Sequence, residues 1–129
     1  MSGWLTVAFA LAVHEEQLHE HGGRAGLRDL ALLESALARP QQLAAYAQPD
    51  IFELAAAYAF GVAKNHPFLD GNKRTAWVLA RTYCLLNGLD FIGTDADAVI
   101  AMLRLAAGDD NQATFANFLR ENSAPAGAQ

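Results

Sequence analysis

Cysteine is almost absent from this chain. Cys84 stands alone in 129 residues, so neither a disulfide framework nor a cysteine-based zinc site can be assembled. Its neighbours Tyr83, Leu85 and Leu86 read as the surroundings of a buried, inert thiol. Long apolar runs are missing too, and no stretch approaches the length needed to span a bilayer. Residues 5–13 are apolar but short, have no basic region ahead of them, and run straight into His14-Glu15-Glu16. That pattern suits a core helix and not a secretory leader. Positive charge is scarce: nine Lys and Arg face fourteen Asp and Glu, a net charge of −5. Broad electrostatic binding to nucleic acid is therefore disfavoured, and any basic residue that matters must act locally. The expected setting is the cytoplasm, without membrane contact and without a direct nucleic-acid partner.

What is present is a composition of 53% hydrophobic and 18% charged residues, with no internal repeat and no low-complexity segment. It fits one globular domain with a single core. The periodicity is helical throughout. A first helix is expected over residues 6–21, facing inward with Leu5, Phe9, Ala12 and Val13, and stopped by Gly22-Gly23. Asp29 can cap a second, with Leu32, Leu33, Ala36 and Leu37 inside, which Arg39-Pro40 should end. Asp50 and Glu53 have capping-box spacing ahead of Ile51, Leu54, Ala55, Tyr58 and Val62. Here Ala55-Ala56-Ala57 and Gly61 are small enough for close helix packing. A fourth helix runs from Lys73 to about Leu86, facing inward with Ala76, Leu79, Ala80, Tyr83 and Leu86, before the stop Asn87-Gly88. Residues 90–93 suit a short extended piece. Thr94 and Asp97 then open a helix filled by Val99, Ile100, Leu103 and Leu105, and Asp110 or Asn111 starts a last one that buries Phe115, Phe118 and Leu119. The expectation is an all-α bundle around a central helix pair, with residues 1–122 as the domain and 123–129 as a disordered tail.

Between the third and fourth helices lies His66-Pro67-Phe68-Leu69-Asp70-Gly71-Asn72-Lys73-Arg74. Asn72 is a good N-cap residue, which puts Lys73 and Arg74 in a first turn where the helix dipole is already positive. Cations there are unfavourable by about 0.3–1 kcal/mol each unless an anion sits at the helix end. Gly71 permits close backbone approach, free N–H groups point outward, and two cations complete a phosphate site. Asp70 offers a hard oxygen ligand suited to a Mg²⁺ shared with phosphate, and His66 is matched to proton transfer near neutral pH. Phe68 reads as the plug that anchors the loop. The bland alternative is a plain helix–loop–helix connection, since His-Pro and Asp-Gly-Asn are turn signals anyway. Arg81, two turns beyond Arg74, either reaches outlying phosphate charge or is simply solvated. His14, His19 and His21 invite a metal reading, but their spacing is wrong for a zincin and no third ligand is evident. His14 reads as a structural hydrogen-bonding residue.

The run 66–74 resembles the signature of the Fic/Doc family, His-Pro-Phe-x-Asp/Glu-Gly-Asn-Gly/Lys-Arg. The likeness extends to His14, Gly22-Gly23, Gly26-Leu27-Arg28-Asp29, Ala36-Leu37-Ala38-Arg39-Pro40 and Asn87-Gly88. Position 73 separates the branches. Proteins that transfer AMP have Gly there and a further Arg where this chain has Trp77, whereas Lys73 resembles the death-on-curing (Doc) toxins. The resemblance implies a kinase that moves the γ-phosphate of ATP, with Mg²⁺, to a threonine of translation elongation factor Tu. It implies His66 as general base, Asp70 for the metal, and Asn72, Lys73, Arg74 and the loop backbone at Gly71 around the nucleotide, to which the helical spacing adds Arg81. It also implies neutralisation by a Phd-like antitoxin whose tail folds as a helix into an apolar groove. A target-holding flap has its expected counterpart at residues 40–49, where a structural linker is the equal alternative. The rival readings are AMP transfer and a non-catalytic module that has kept the fold.

Overall fold

The computed structural model describes residues 3–127. Its elements, in chain order, are α1 (Val7–His21), α2 (Leu30–Tyr46), α3 (Ile51–Asn65), α4 (Asn72–Leu86), β1 (Leu89–Phe91), α5 (Asp95–Ala107), α6 (Gln112–Glu121) and β2 (Ser123–Pro125). The fold is all-α with a minor two-stranded ribbon, and α3 is its axis. Leu54, Ala55, Ala56, Ala57, Tyr58, Ala59, Val62 and Ala63 are all buried, so α3 is covered on nearly every side, by α2, α4 and α6. Such a helix must be apolar all round. The capping box that starts it is complete: Asp50 Oδ1 accepts from the Glu53 N–H (2.8 Å) and Glu53 Oε1 accepts from the Asp50 N–H (2.9 Å).

Small residues set how closely the layers approach. A Cβ on Gly61 would stand 2.9 Å from Ala36 Cα and 3.0 Å from Ala36 O, so α2 lies directly on the α3 backbone here. The same contact explains why Pro40 does not end α2, as the sequence led us to expect. Pro40 lacks the N–H that would bond the Ala36 carbonyl, but that carbonyl faces Gly61 and the buried pyrrolidine ring packs into the core. The helix continues to Tyr46, so most of residues 40–49 is helical and does not form a flap.

Other departures are rotations of helix faces. In α1 the inner positions are Ala10, Val13 and His14, while Phe9 and Ala12 are exposed. In α4, Leu86 is exposed. In α5 the buried set is Ala98, Ala101, Met102 and Leu105, which leaves Val99, Ile100 and Leu103 as an outward apolar strip. The expected tail also differs. Ser123–Pro125 pairs antiparallel with β1 (Leu89↔Pro125, Phe91↔Ser123), and Ala126 N–H donates to Gly88 O at 2.8 Å. Phe91 anchors this ribbon by packing on Trp77 and Phe118. Ala128 and Gln129 lie outside the described residues. Cys84 is buried and free, with its thiol pushed up to about 12 by burial. No helix among the described residues is long and apolar enough to cross a membrane.

Candidate active site

The loop between α3 and α4 is held from three directions. His66 caps α3 in the left-handed conformation (φ 49°, ψ 55°), alone among the described non-glycine residues. A residue with a Cβ pays strain there of order 1 kcal/mol or more, so its surroundings must impose it. They do: Arg28 Nε donates to His66 O (2.7 Å) and Arg28 Nη2 to Asn65 O (2.8 Å). One guanidinium thus satisfies two carbonyls at the negative end of α3. Backbone contacts extend the clamp. Arg28 and Asp29 N–H both donate to Pro67 O (2.7 and 3.0 Å), Leu69 N–H donates to Gly26 O (3.1 Å), and Leu27 bridges Phe68. The segment lying along the motif is therefore residues 22–29, not 40–49.

From below, Phe68 is 1% exposed and its ring stacks on His14 at 3.7 Å with 7° between planes, as a plug should. His14 Nε2 donates to Asp70 O at 2.8 Å, which confirms its hydrogen-bonding role.

Asn72 supplies the third constraint, and here the structure corrects the sequence reading. The N-cap of α4 is Gly71 (φ 75°, ψ 18°), with no side-chain cap bond; Asn72 is already the first helical residue. Its side chain turns back into the loop. Oδ1 accepts from Phe68 N–H (3.0 Å) and Nδ2 donates to Phe68 O (2.9 Å). Its second amide hydrogen faces His66 Nδ1 at 3.3 Å. That contact is long, so it biases the ring towards a proton on Nε2 without fixing the tautomer.

Because Asn72 is spent on the loop, the first N–H groups of α4 meet no side-chain cap. Lys73 and Arg74 stand exposed in that same turn, and neither is in an ion pair; those among the described residues are His21–Glu20, Arg104–Asp110 and Arg120–Asp50. An uncompensated helix N-terminus beside two free cations is suited to phosphate.

Asp70 is exposed beside it. Its Oδ2 accepts from Arg24 N–H (3.2 Å) and Oδ1 from Gly71 N–H (2.9 Å). These bonds, Arg24's first, hold the carboxyl below the usual carboxylate range, with the Arg24 and Arg74 charges adding to them. Gly23 is required for this contact, since a Cβ there would fall 2.9 Å from Asp70 Oδ2. An ionised carboxylate with lone pairs to spare fits Mg²⁺, which takes one or two protein oxygens and fills its shell with phosphate and water. No three His, Cys, Asp or Glu side chains among the described residues converge as a self-sufficient metal site.

A cavity of about 520 Å³ opens between α1, α4 and α5, lined by Lys73, Arg74, Trp77 and Val78 of α4 and closed by residues such as His21, Asp95 and Met102. His66, Asp70, Gly71 and Asn72 do not line it; Lys73 and Arg74 join it to the loop. Arg81 is brought to neither, its guanidinium lying 5.8 Å above the Phe91 ring. Arg28 and Trp77 were missed as site residues. The signal for Arg28 was the glycine-rich turn Gly22-Gly23 to Gly26, whose backbone freedom only a close partner would need.

A model of the Fic/DOC family matches residues 4–84. The phage P1 protein named Protein kinase doc (Escherichia phage P1) is 31% identical over 113 residues, 85% of this chain and 87% of that one. The chain belongs to the Fic/DOC family. A second relative of this Fic/DOC protein, Toxin Doc of Mycolicibacterium smegmatis, is 44% identical over 70 residues, 53% of this chain and about half (54%) of that toxin's length.

Proposed function

We propose that this Fic/DOC protein is an ATP-dependent protein kinase, a toxin that transfers the γ-phosphate of ATP to a threonine hydroxyl. Translation elongation factor Tu is the acceptor and arrest of translation in the cytoplasm the result. The observation that carries the reading is the start of α4: an uncapped helix N-terminus with free Lys73 and Arg74, one bend away from His66. Phosphoryl transfer needs positioning and charge neutralisation more than covalent chemistry, and those are what this site offers. The acceptor oxygen bonds to the γ-phosphorus, the bond from that phosphorus to the β–γ bridging oxygen breaks, and ADP leaves. His66 takes the hydroxyl proton on the ring nitrogen that carries none, as general base. Lys73, Arg74, Gly71 and the backbone of Asn72 hold phosphate. Asp70 would hold Mg²⁺, which supplies further neutralisation of phosphate charge. The names of the two relatives support both the toxin and the kinase halves of the reading.

Lys73 also favours γ- over α-phosphate transfer, because a long cationic side chain fills the space that glycine would leave for a nested diphosphate. Neutralisation falls to a Phd-like antitoxin. Its tail would fold as a helix on the apolar strip Val99, Ile100 and Leu103, which the described residues leave more than half exposed and whose Val99 and Leu103 form one edge of the cavity beside α4. The decisive assay incubates the protein with α- or γ-labelled ATP and a cell extract. Label from the γ position alone, lost in His66→Ala, is the expected result. Label retained from the α position would make the protein an AMP transferase, and growth arrest that survives His66→Ala would remove catalysis from the explanation.

A further inference from the structure

We infer that the cavity between α1, α4 and α5 is the nucleobase site, and that Trp77 is the surface on which a purine stacks. The inference deepens the nucleotide reading and rests on it. Lys73 and Arg74 belong to both the loop and the cavity, so a phosphate chain held by them has only two directions in which to continue. Towards the loop lie His66 and Asp70, where the exposed apolar side chains are the aliphatic Leu27 and Leu69 and the aromatic ring of the bend, Phe68, is buried. Away from it, Trp77 and Val78 follow one helical turn on, about 5.4 Å along α4, with Met102 of α5 opposite. The volume of about 520 Å³ and the apolar lining suit a nucleoside.

Trp77 is built as a platform. Its indole meets Phe91 at 4.8 Å and 83° and Phe115 at 6.4 Å and 90°, so the ring is braced by two aromatic contacts while remaining part of the cavity wall. A braced ring stacks without losing rotamer freedom on binding. With the base on this side, the chain of phosphates runs back past Arg74 and Lys73 and its terminal group is the one nearest His66. The position of the base therefore decides which phosphate is presented.

The test separates base from phosphate. In a Trp4→Phe background Trp77 is the only tryptophan, since the chain has two. Affinities for ATP and for inorganic tripolyphosphate are measured calorimetrically with Mg²⁺, together with Trp77 fluorescence. ATP is expected to bind more tightly than tripolyphosphate and to change the fluorescence, which tripolyphosphate does not. In the calorimetric series Trp77→Ala should weaken ATP about tenfold, the worth of one base stacked on an aromatic ring, and leave tripolyphosphate unchanged. Trp77→Phe should retain most of the ATP affinity. If ATP and tripolyphosphate weaken together in Trp77→Ala, or ATP does not weaken at all, the base lies elsewhere and the inference fails alone. If the wild-type protein binds neither compound, the phosphate reading itself fails and takes the inference with it.

Discussion

Replacing Asn72 by alanine tests the central packing argument without any assumption about function. The side chain is 6% exposed and closes a ring with Phe68, accepting from its N–H and donating to its C=O. Alanine leaves both backbone groups without partners in a buried position, at about 1–3 kcal/mol each. The loop is open towards solvent at His66 and Asp70, so water recovers part of this and about 2–4 kcal/mol is the expected net loss. For a chain of this size that lowers the melting temperature by roughly 6–16 °C. Thermal unfolding followed by circular dichroism, with urea denaturation to confirm the free energy, gives the number. Had Asn72 been the helix cap that its sequence position suggests, glycine in its place would cost only a few tenths of a kcal/mol. Asn72→Gly removes the same two Phe68 bonds, so we expect it to be at least as harmful as Asn72→Ala. A melting temperature within about 2 °C of wild type for either variant would refute the loop-latch assignment.

Three further outcomes follow from the same geometry. Gly61→Ala, stabilising by about 1 kcal/mol in an exposed helix, should here destabilise by about 1–3 kcal/mol because its Cβ meets the Ala36 backbone; a rise in melting temperature would contradict the observed α2–α3 approach. Asp70 has a depressed folded-state pKa, so its contribution to stability is full above the unfolded carboxylate value and is lost as pH falls through the folded one. Urea midpoints of wild type and Asp70→Asn should therefore differ at neutral pH and converge in acid, and a constant offset across the range would show that the Arg24 and Gly71 bonds do not act on the charge. Arg28→Met should cost about 1–3 kcal/mol, since both guanidinium bonds go to carbonyls at the end of α3. It should also shift the His66 ring resonances in an NMR spectrum, whereas unchanged resonances would mean that Arg28 does not hold His66 in place.

Much of this protein was legible in local sequence. Capping signals at Asp29, Asp50 and Thr94 each act within one helical turn, and all three are observed as N-caps; of Asp110 and Asn111, Asn111 is the cap. The burial of Phe68, the hydrogen-bonding role of His14 and the placement of Lys73 and Arg74 in the first turn of α4 were also readable, because side-chain chemistry and spacing suffice for them. Tertiary structure decided what depended on a partner distant in sequence. Pro40 reads as a helix stop until Gly61 makes room for the carbonyl it leaves unpaired. Asn72 reads as a cap until Phe68 is folded back within reach. Val99, Ile100 and Leu103 read as core, yet the smaller neighbours Ala98 and Ala101 are what let α5 approach. Residues 123–125 read as a tail until Leu89–Phe91 offers an edge to pair with. Local rules fix which elements form. Which face an element buries, and which polar side chain is already engaged, is fixed by the surface that comes to lie against it.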